Sequence, residues 1–282
     1  MKVSILYILY FKQQMQHLLN FLKLIPQNKL MSYKQLWEIF WIHPRKVAQI
    51  LTQNKQQDKY PCYKIINSNK KISWYNLGVK EKIKKLEKDG FIIENNKIIK
   101  HTSDNKIFRK PKFSNFFVAF PIEDKNFQNL AKQLKQINNW DFTIQKPDSP
   151  HITLRFFGKL DFETLHQIIE KTKKLKIKPK KVYFNQVNNF WKKIRFYKPE
   201  NPAVLTYTYH KFHEITDLEK GKRPFKPHLT ILRVKKDSFQ QIKPQIFEIL
   251  KQYKFSLYPN KLRFYVAVDN NFQVPLIDLN IG

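Results

Sequence analysis

Two short segments of this 282-residue chain repeat one another, Pro150-His151-Ile152-Thr153-Leu154 and Pro227-His228-Leu229-Thr230-Ile231. On a strand, residues i and i+2 share a face. His151 with Thr153, and His228 with Thr230, therefore project one way while their aliphatic neighbours enter a core. Two such strands turned toward one cleft present two imidazoles and two hydroxyls. That set suits in-line displacement at a phosphodiester: one imidazole accepts a proton, the other donates one, and the hydroxyls hold phosphoryl oxygens. One copy would read as a half-buried structural histidine. Two copies, both after proline and 77 residues apart, point to a site. A second group surrounds the one cysteine, Cys62, in Tyr60-Pro61-Cys62-Tyr63-Lys64-Ile65-Ile66-Asn67-Ser68. A lone cysteine is by default a small core residue, so its neighbourhood must carry any further reading.

The elements that would position these residues fall into two textures. Up to residue 100 the pattern is mainly helical: Gln16 to Leu24, then Tyr33 to Phe40 capped by Ser32, then Pro44 to about Gln53 after the break at His43-Pro44. Two short helices with a tight break between them follow helix-turn-helix grammar. A third amphipathic helix, Val79 to Lys88, ends at Gly90, and Phe91 to Ile99 alternates like a hairpin or wing around Asn95-Asn96. Lys80 to Lys88 reads as a solvated helix face. Residues 101–114 are polar, basic and broken by Pro111, as in a linker. From residue 115 to 282 strands and helices mix, which indicates an α+β domain. Strands are expected at Phe116–Pro121, His151–Phe157, Lys181–Phe184, Lys193–Tyr197, Val204–Tyr209, His228–Val234 and Leu262–Val268, and helices at Phe127–Ile137, Phe162–Leu175 and near Phe239–Tyr253.

The paired motifs are joined by the opening run Phe116-Phe117-Val118-Ala119-Phe120-Pro121, by Leu154-Arg155-Phe156-Phe157-Gly158, by Phe225-Lys226-Pro227 and by Arg233. Together these make residues 114–282 resemble the two-histidine phosphoesterase superfamily, the group of 2′-5′ RNA ligases and RNA 2′,3′-cyclic phosphodiesterases. The resemblance implies a bilobal, pseudo-two-fold α+β fold with its site between the lobes. It implies His151 and His228 as the acid/base pair and Thr153 and Thr230 on the phosphate. Arg233 falls where the family places a basic residue on the substrate phosphate, and Arg155 is a further candidate. No metal or cofactor is implied. The implied reaction opens a 2′,3′-cyclic phosphate at an RNA end and leaves a 2′-phosphomonoester. Which histidine is base and which is acid does not follow from the sequence.

Around Cys62 stand Ile25-Pro26, Ser32-Tyr33, His43-Pro44-Arg45-Lys46-Val47 and Asn54 upstream, and Trp74-Tyr75, Val79-Lys80-Glu81 and Leu86-Glu87-Lys88-Asp89-Gly90 downstream. In this order, over about residues 10–92, they resemble the DNA-binding and active-site domain of methylated-DNA–protein-cysteine methyltransferases and the related alkyltransferase-like proteins. The resemblance implies a mainly α, winged helix-turn-helix domain whose helix beginning near Pro44 enters the minor groove of double-stranded DNA. Arg45 would fill the space left when an O6-alkylguanine is rotated out of the stack. Tyr33 would crowd the flipped nucleotide's phosphate, Tyr75 would line the base pocket, Asn54 would brace the loop behind Cys62, and the Cys62 thiolate would accept the alkyl group. The family's Pro-Cys-His-Arg run is Pro61-Cys62-Tyr63-Lys64 here. The histidine that links the cysteine to a glutamate, corresponding to Glu87, is replaced by Tyr63, and a phenol with an ordinary pKa of about 10 is a poor base at neutral pH. The expectation is lesion binding with weak or no transfer.

Composition bounds the rest. The chain has 53 Lys and Arg against 22 Asp and Glu, a formal +31. Up to Lys110 there are 22 basic and 7 acidic residues, and beyond it 31 and 15, so both halves are basic. Polyanion partners account for this through counterion release, and a Lys/Ile/Asn/Phe-rich composition that drifts basic is the bland alternative. Hydrophobic content of 42% excludes wholesale disorder, and 5 glycines exclude a glycine-rich nucleotide loop. The histidines outside the two motifs, His210 and His213 included, lack metal-ligand spacing. The apolar start Ile5–Phe11 is too short to span a bilayer, and a single cysteine fits a reducing cytoplasm. The expectation is a cytoplasmic monomer, with no membrane partner, acting on RNA with 2′,3′-cyclic phosphate ends and on double-stranded DNA with alkylated guanine. Two competing readings stand beside it. In one, alkyl transfer to Cys62 is the main activity and the second domain is accessory. In the other, the chain is a non-enzymatic nucleic-acid or lesion sensor.

Overall fold

The structure, a computed structural model, describes residues 15–103, 107–108, 113–137, 141–145, 150–190, 193–219, 224–235, 239–268 and 272–282. The apolar start Ile5–Phe11, and Pro111 within the stretch expected as a linker, lie outside the described residues. Backbone contacts divide the chain into two units, residues 1–114 with 266–278, and residues 115–265 with 279–282. Among the described residues no helix is long and apolar enough to cross a membrane.

In the first unit residues 15–22 are helical, α1. β1 (Met31–Ser32) then pairs in parallel with β2 (Ile65–Ile66). Ser32 also starts α2 (Tyr33–Phe40): its hydroxyl accepts from the Gln35 N–H and its own N–H donates to the Gln35 side chain. This reciprocal cap satisfies two otherwise orphan donors and is worth about 1 kcal/mol. Trp41 turns left-handed and ends the helix. Pro44, whose missing N–H costs nothing at a first helical position, opens α3 (Pro44–Gln53). α2 and α3 pack on each other and bury Leu36, Ile39, Phe40, Val47, Ile50 and Leu51. A 3-10 turn, Cys62–Lys64, leads into β2. α4 (Val79–Lys88) ends at Asp89 and Gly90, and β3 (Phe91–Glu94) and β4 (Lys97–His101) form an antiparallel hairpin. Asn95 and Asn96 both take positive φ at its tip, the conformation a tight hairpin turn requires. Ile107 is 1% exposed in the core cluster of Leu30, Ile66, Leu86, Phe91 and Ile98, and Phe108 bridges Leu30.

From residue 113 the order is β5 (Phe113–Pro121), α5 (Lys125–Gln136), β6 (Phe142–Ile144), β7 (His151–Gly158), α6 (Phe162–Thr172), β8 (Val182–Phe190), β9 (Ile194–Pro199), α7 (Ala203–Thr216), β10 (Leu229–Val234), α8 (Phe239–Lys251), β11 (Phe255–Leu257), β12 (Lys261–Val268) and β13 (Phe272–Asn280). The strands form two sheets, ordered β11-β8-β9-β10-β6 and β13-β12-β5-β7. One His-x-Thr motif lies in β7 of the second sheet, the other at the start of β10 in the first, and β7 and β10 contact each other. The chain is thus a helical N-terminal domain followed by an α+β one.

The repeat extends to the backbone. Along β7, Thr153 pairs with Ala119 and Arg155 with Val118, which leaves Leu154 as the extra residue of a bulge. Along β10, Thr230 pairs with Phe196 and Leu232 with Arg195, which leaves Ile231 extra. In both copies the bulge follows the threonine, and bulges re-aim side chains beside sites. One expected strand is corrected: Val204–Tyr209 lies inside α7. Its β-branched and aromatic residues favour a strand locally. Its buried positions Leu205, Thr208, Tyr209, Phe212, His213 and Thr216 nonetheless recur at helical spacing, and α7 packs on α6.

Candidate functional site

On β7, His151 and Thr153 are half-buried while Ile152 and Leu154 are buried, the expected alternation. On β10, Leu229, Ile231 and Leu232 are buried, Thr230 is half-buried and Arg233 is exposed. Three residues after Thr230, Arg233 would point to the opposite face of a regular strand. The bulge returns it, because the residues opposite the two, Phe196 and Ile194, lie two apart on β9 and share a face. A cavity of about 580 Å³ brings Thr153 and Arg155 together with His228, and Phe190, Tyr209 and Lys226 stand in its walls. His151 and Thr230 are not among those walls. The Arg155 Nε is buried with no hydrogen-bond partner among the described residues.

Each histidine rests on a stacked aromatic pair. His151 lies 5.1 Å from Phe117 and 5.3 Å from Tyr265, whose rings stack at 4.7 Å. His228 stands edge-on to Phe190 at 5.0 Å and Phe196 at 5.2 Å, themselves stacked at 4.2 Å. Neither pair is signalled in the sequence, since its members come from different strands. The His228 Nδ1 lies 2.8 Å from the Lys226 carbonyl oxygen. A carbonyl only accepts, so Nδ1 carries the hydrogen and Nε2 of the neutral ring offers a lone pair. Burial holds the His228 pKa below its ordinary value, the Lys226 carbonyl opposes this, and the nearby Arg233 guanidinium reinforces it.

In the first unit a cavity of about 310 Å³ is lined by Tyr33, Arg45, Cys62, Ser73, Trp74 and Tyr75. Four residues singled out in the sequence, Tyr33, Arg45, Cys62 and Tyr75, therefore meet. Asn54, at the end of α3, donates from Nδ2 to the Cys62 Sγ at 3.1 Å and accepts from the Gln56 N–H at 2.9 Å, bracing the loop. The Tyr33 hydroxyl lies 3.2 Å from the Ser73 hydroxyl. The Tyr75 hydroxyl is buried with no hydrogen-bond partner among the described residues. Burial pushes the Cys62 thiol up to about 11, outweighing the Asn54 donor and the Lys82 ammonium.

Two expectations on α4 are corrected. Glu87 is exposed, and the carboxylate that meets Tyr63 is Asp89: the phenol donates to its Oδ2 at 2.9 Å. Asp89 caps the helix where the chain turns into Gly90, which swings it beneath the 3-10 turn, while Glu87 stays on the outer face. Lys64 approaches the same carboxylate at 3.5 Å and donates to the Pro26 carbonyl at 2.9 Å. Burial and the Asp89 charge drive the Tyr63 pKa upward, so the phenol keeps its proton. Lys82, expected on a solvated face, is 1% exposed. Its ammonium donates to the Ile65 carbonyl at 2.6 Å, and burial brings its pKa down to about 8 although Cys62 opposes this. Only its phase on α4 distinguishes it from the exposed lysines of the same run.

Residues 13–91 match the family model of the 6-O-methylguanine DNA methyltransferase DNA binding domain, and residues 120–195 match that of the LigT like phosphoesterases. The N-terminal part of the chain is thus similar to the first family and the following part to the second. Over 79 residues it is 35% identical to a bifunctional methyltransferase/endonuclease of Picrophilus torridus, a match covering 28% of this chain and 24% of the relative. Over 150 residues it is 28% identical to an RNA 2′,3′-cyclic phosphodiesterase of Archaeoglobus fulgidus, covering 49% of this chain and 79% of the relative. The chain spans about a quarter to a third of the length of its bifunctional curated relatives. The crystal structure of E. coli LigT in apo form aligns with a TM-score of 0.48 at 13% identity, over 60% of this chain and 98% of that one.

Proposed function

We propose that the second domain is an RNA 2′,3′-cyclic phosphodiesterase. The observation that carries this reading is the cavity joining Thr153 and Arg155 of one bulged strand to His228, the residue just before the other. A cyclic phosphate held by the Thr153 and Thr230 hydroxyls and by Arg233 presents its phosphorus to water. His228 Nε2 takes the water proton, because Nδ1 is committed to Lys226 and burial keeps the ring neutral. His151 gives its proton to the departing 3′ oxygen as the P–O3′ bond breaks. The product is a 2′-phosphomonoester and a free 3′ hydroxyl, and the two histidines exchange protonation states. The stacked pairs Phe117/Tyr265 and Phe190/Phe196 fix ring orientation, which general acid-base catalysis requires. The test is hydrolysis of an RNA oligonucleotide ending in a 2′,3′-cyclic phosphate, followed by mass spectrometry and phosphorus NMR. His228→Ala and His151→Ala should each lower kcat by about 10² to 10⁴-fold. Undiminished turnover in either variant would sink the assignment.

The first domain supports a second, compatible reading, recognition of O6-alkylguanine in double-stranded DNA. Its basis is the cavity in which Cys62 and Tyr75 line the space a flipped base would fill. Arg45 would occupy the vacated stack and Tyr33 would press on the phosphate. With Cys62 protonated and Tyr63 committed to Asp89, this domain acts as a reader rather than an efficient alkyl acceptor. Intact-mass measurement after incubation with an O6-methylguanine duplex decides it. Binding without a methyl shift is expected, and a fast stoichiometric shift lost in Cys62→Ala would overturn the reader assignment. We further propose that the chain acts as a monomer in a reducing cytoplasm, where its one cysteine stays a thiol.

A further inference from the structure

Away from the two-histidine cavity, residues 171–181 read Lys-Thr-Lys-Lys-Leu-Lys-Ile-Lys-Pro-Lys-Lys, seven lysines and no carboxylate. Past the end of α6 the segment runs without helix or sheet into β8. Leu175 and Ile177 are buried while Lys176, Lys178 and Lys180 are exposed. Alternation therefore sets three ammonium groups on one side, about 7 Å apart at the rise of an extended chain. These three lysines line a groove of about 540 Å³ closed on its far side by Ala203, Val204 and Tyr207 of α7. Tyr207 is 50% exposed and Tyr183 is 44% exposed, and the Lys181 ammonium lies 5.3 Å from the Tyr183 ring centre. Nearby carboxylates are taken up by other groups than these three lysines: Glu170 by Lys173 and Asp217 by Lys171, both at the helical start of the segment, and Glu200 by the Asn185 amide. Lys176, Lys178 and Lys180 form no ion pair among the described residues.

We propose that this groove binds the backbone of single-stranded RNA upstream of the end being processed, so that the substrate is an RNA chain rather than a cyclic mononucleotide. A row of ammonium groups at regular spacing, with tyrosine faces beside it, is the combination that tracks phosphates and stacks bases without reading sequence. The groove is within reach of the catalytic cavity. Tyr207 borders the groove and Tyr209 borders the cavity, and two residues apart they stand on opposite sides of a helix only about 10 Å across. At a rise of about 3.4 Å per stacked nucleotide, a few nucleotides cover that span.

The proposal deepens the phosphodiesterase reading and rests on it for the substrate, but its binding arm is independent of turnover. The full chain and the triple variant Lys176→Gln/Lys178→Gln/Lys180→Gln are titrated with a fluorescent 12-nucleotide RNA ending in a 3′ hydroxyl, which is not a substrate. Loss of three phosphate contacts should weaken binding at least tenfold near 0.1 M salt and flatten the log K against log salt slope by about 2. The kcat/KM for a cyclic-phosphate oligonucleotide should fall by a similar factor while a 2′,3′-cyclic mononucleotide is hydrolysed as before. A control removing three exposed lysines of α5, Lys125→Gln/Lys132→Gln/Lys135→Gln, should leave affinity within twofold. Unchanged oligonucleotide affinity, an equal loss in the α5 control, a loss confined to duplex DNA, or an equal loss on the mononucleotide would each overturn it. A wild-type chain that binds the RNA through this groove but hydrolyses neither substrate would sink the phosphodiesterase reading alone.

Discussion

Raising the pH should bring Cys62 to life, because the proposed reader role rests on burial keeping the thiol protonated at neutrality. The thiol shares its cavity with Tyr33 and Tyr75, receives a hydrogen bond from Asn54, and is held at a pKa of about 11 by burial. At pH 7 about one molecule in 10⁴ carries the thiolate, against a few per cent for a free cysteine at about 8.5. Reaction with a small thiolate-selective alkylating agent such as iodoacetamide should therefore run about 300-fold slower than with free cysteine. It should gain about tenfold per pH unit up to about pH 10 without levelling. The assay is intact-mass spectrometry after timed exposure, and since Cys62 is the only cysteine, one adduct reports one site. Cys62→Ser supplies the blank. Asn54→Ala removes the donor 3.1 Å from the sulfur, and a hydrogen bond to a charged group is worth about 1.5–3 kcal/mol. That variant should react a further tenfold or more slowly at every pH. A rate that levels off between pH 8 and 9, or neutral-pH reactivity equal to that of a free thiol, would refute the reasoning.

Tyr63→His would set an imidazole beside Asp89 in place of a phenol that cannot accept the thiol proton. Methyl transfer from an O6-methylguanine duplex at pH 7 should rise at least tenfold by intact mass, and no rise would mean that another feature limits transfer. Arg233→Met removes a charge that disfavours protonation of His228. The His228 pKa should rise, so the acid limb of kcat/KM for cyclic-phosphate hydrolysis should move to higher pH, and a curve that drops in height without moving would contradict this. Lys82 has a folded pKa of about 8 against its ordinary 10.5, so between these values the unfolded chain binds a proton that the folded chain does not. Stability should therefore rise by about 1 kcal/mol from pH 8 to 9. Denaturant titration should show that rise in the wild type and not in Lys82→Met. At Gly90 the φ is +91° and an added Cβ would meet the His101 ring and the Thr102 hydroxyl at 2.9 Å, whereas Gly78 at +89° opens on free space. Gly90→Ala should cost about 2–3 kcal/mol and Gly78→Ala about 1, and equal losses in thermal or denaturant unfolding would refute the contact argument.

The elements of the first unit were legible because their signals are local. Ser32 with Gln35 marks a helix start, Pro44 another, and Asn95-Asn96 a tight turn, since each acts through atoms within four residues of itself. The His-x-Thr repeat was legible for a similar reason, as alternation along a strand needs no partner to set it. Val204–Tyr209 misled because strand-favouring side chains were outvoted by the apolar face that α7 turns toward the core. On α4, only helical phase and the turn at Gly90 decide that Lys82 is buried and that Asp89, rather than Glu87, meets Tyr63. The two bulges belong to the register with β5 and β9, so the return of Arg233 to the face of Thr230 had no expression in β10 alone. The stacked pairs that seat His151 and His228 join residues from separate strands. The sequence by itself determined the chemical groups and the short-range geometry that carries them. Tertiary structure decided which groups share a cavity, which are buried enough to change protonation, and which face a shifted strand presents, because each of these depends on atoms distant in the chain.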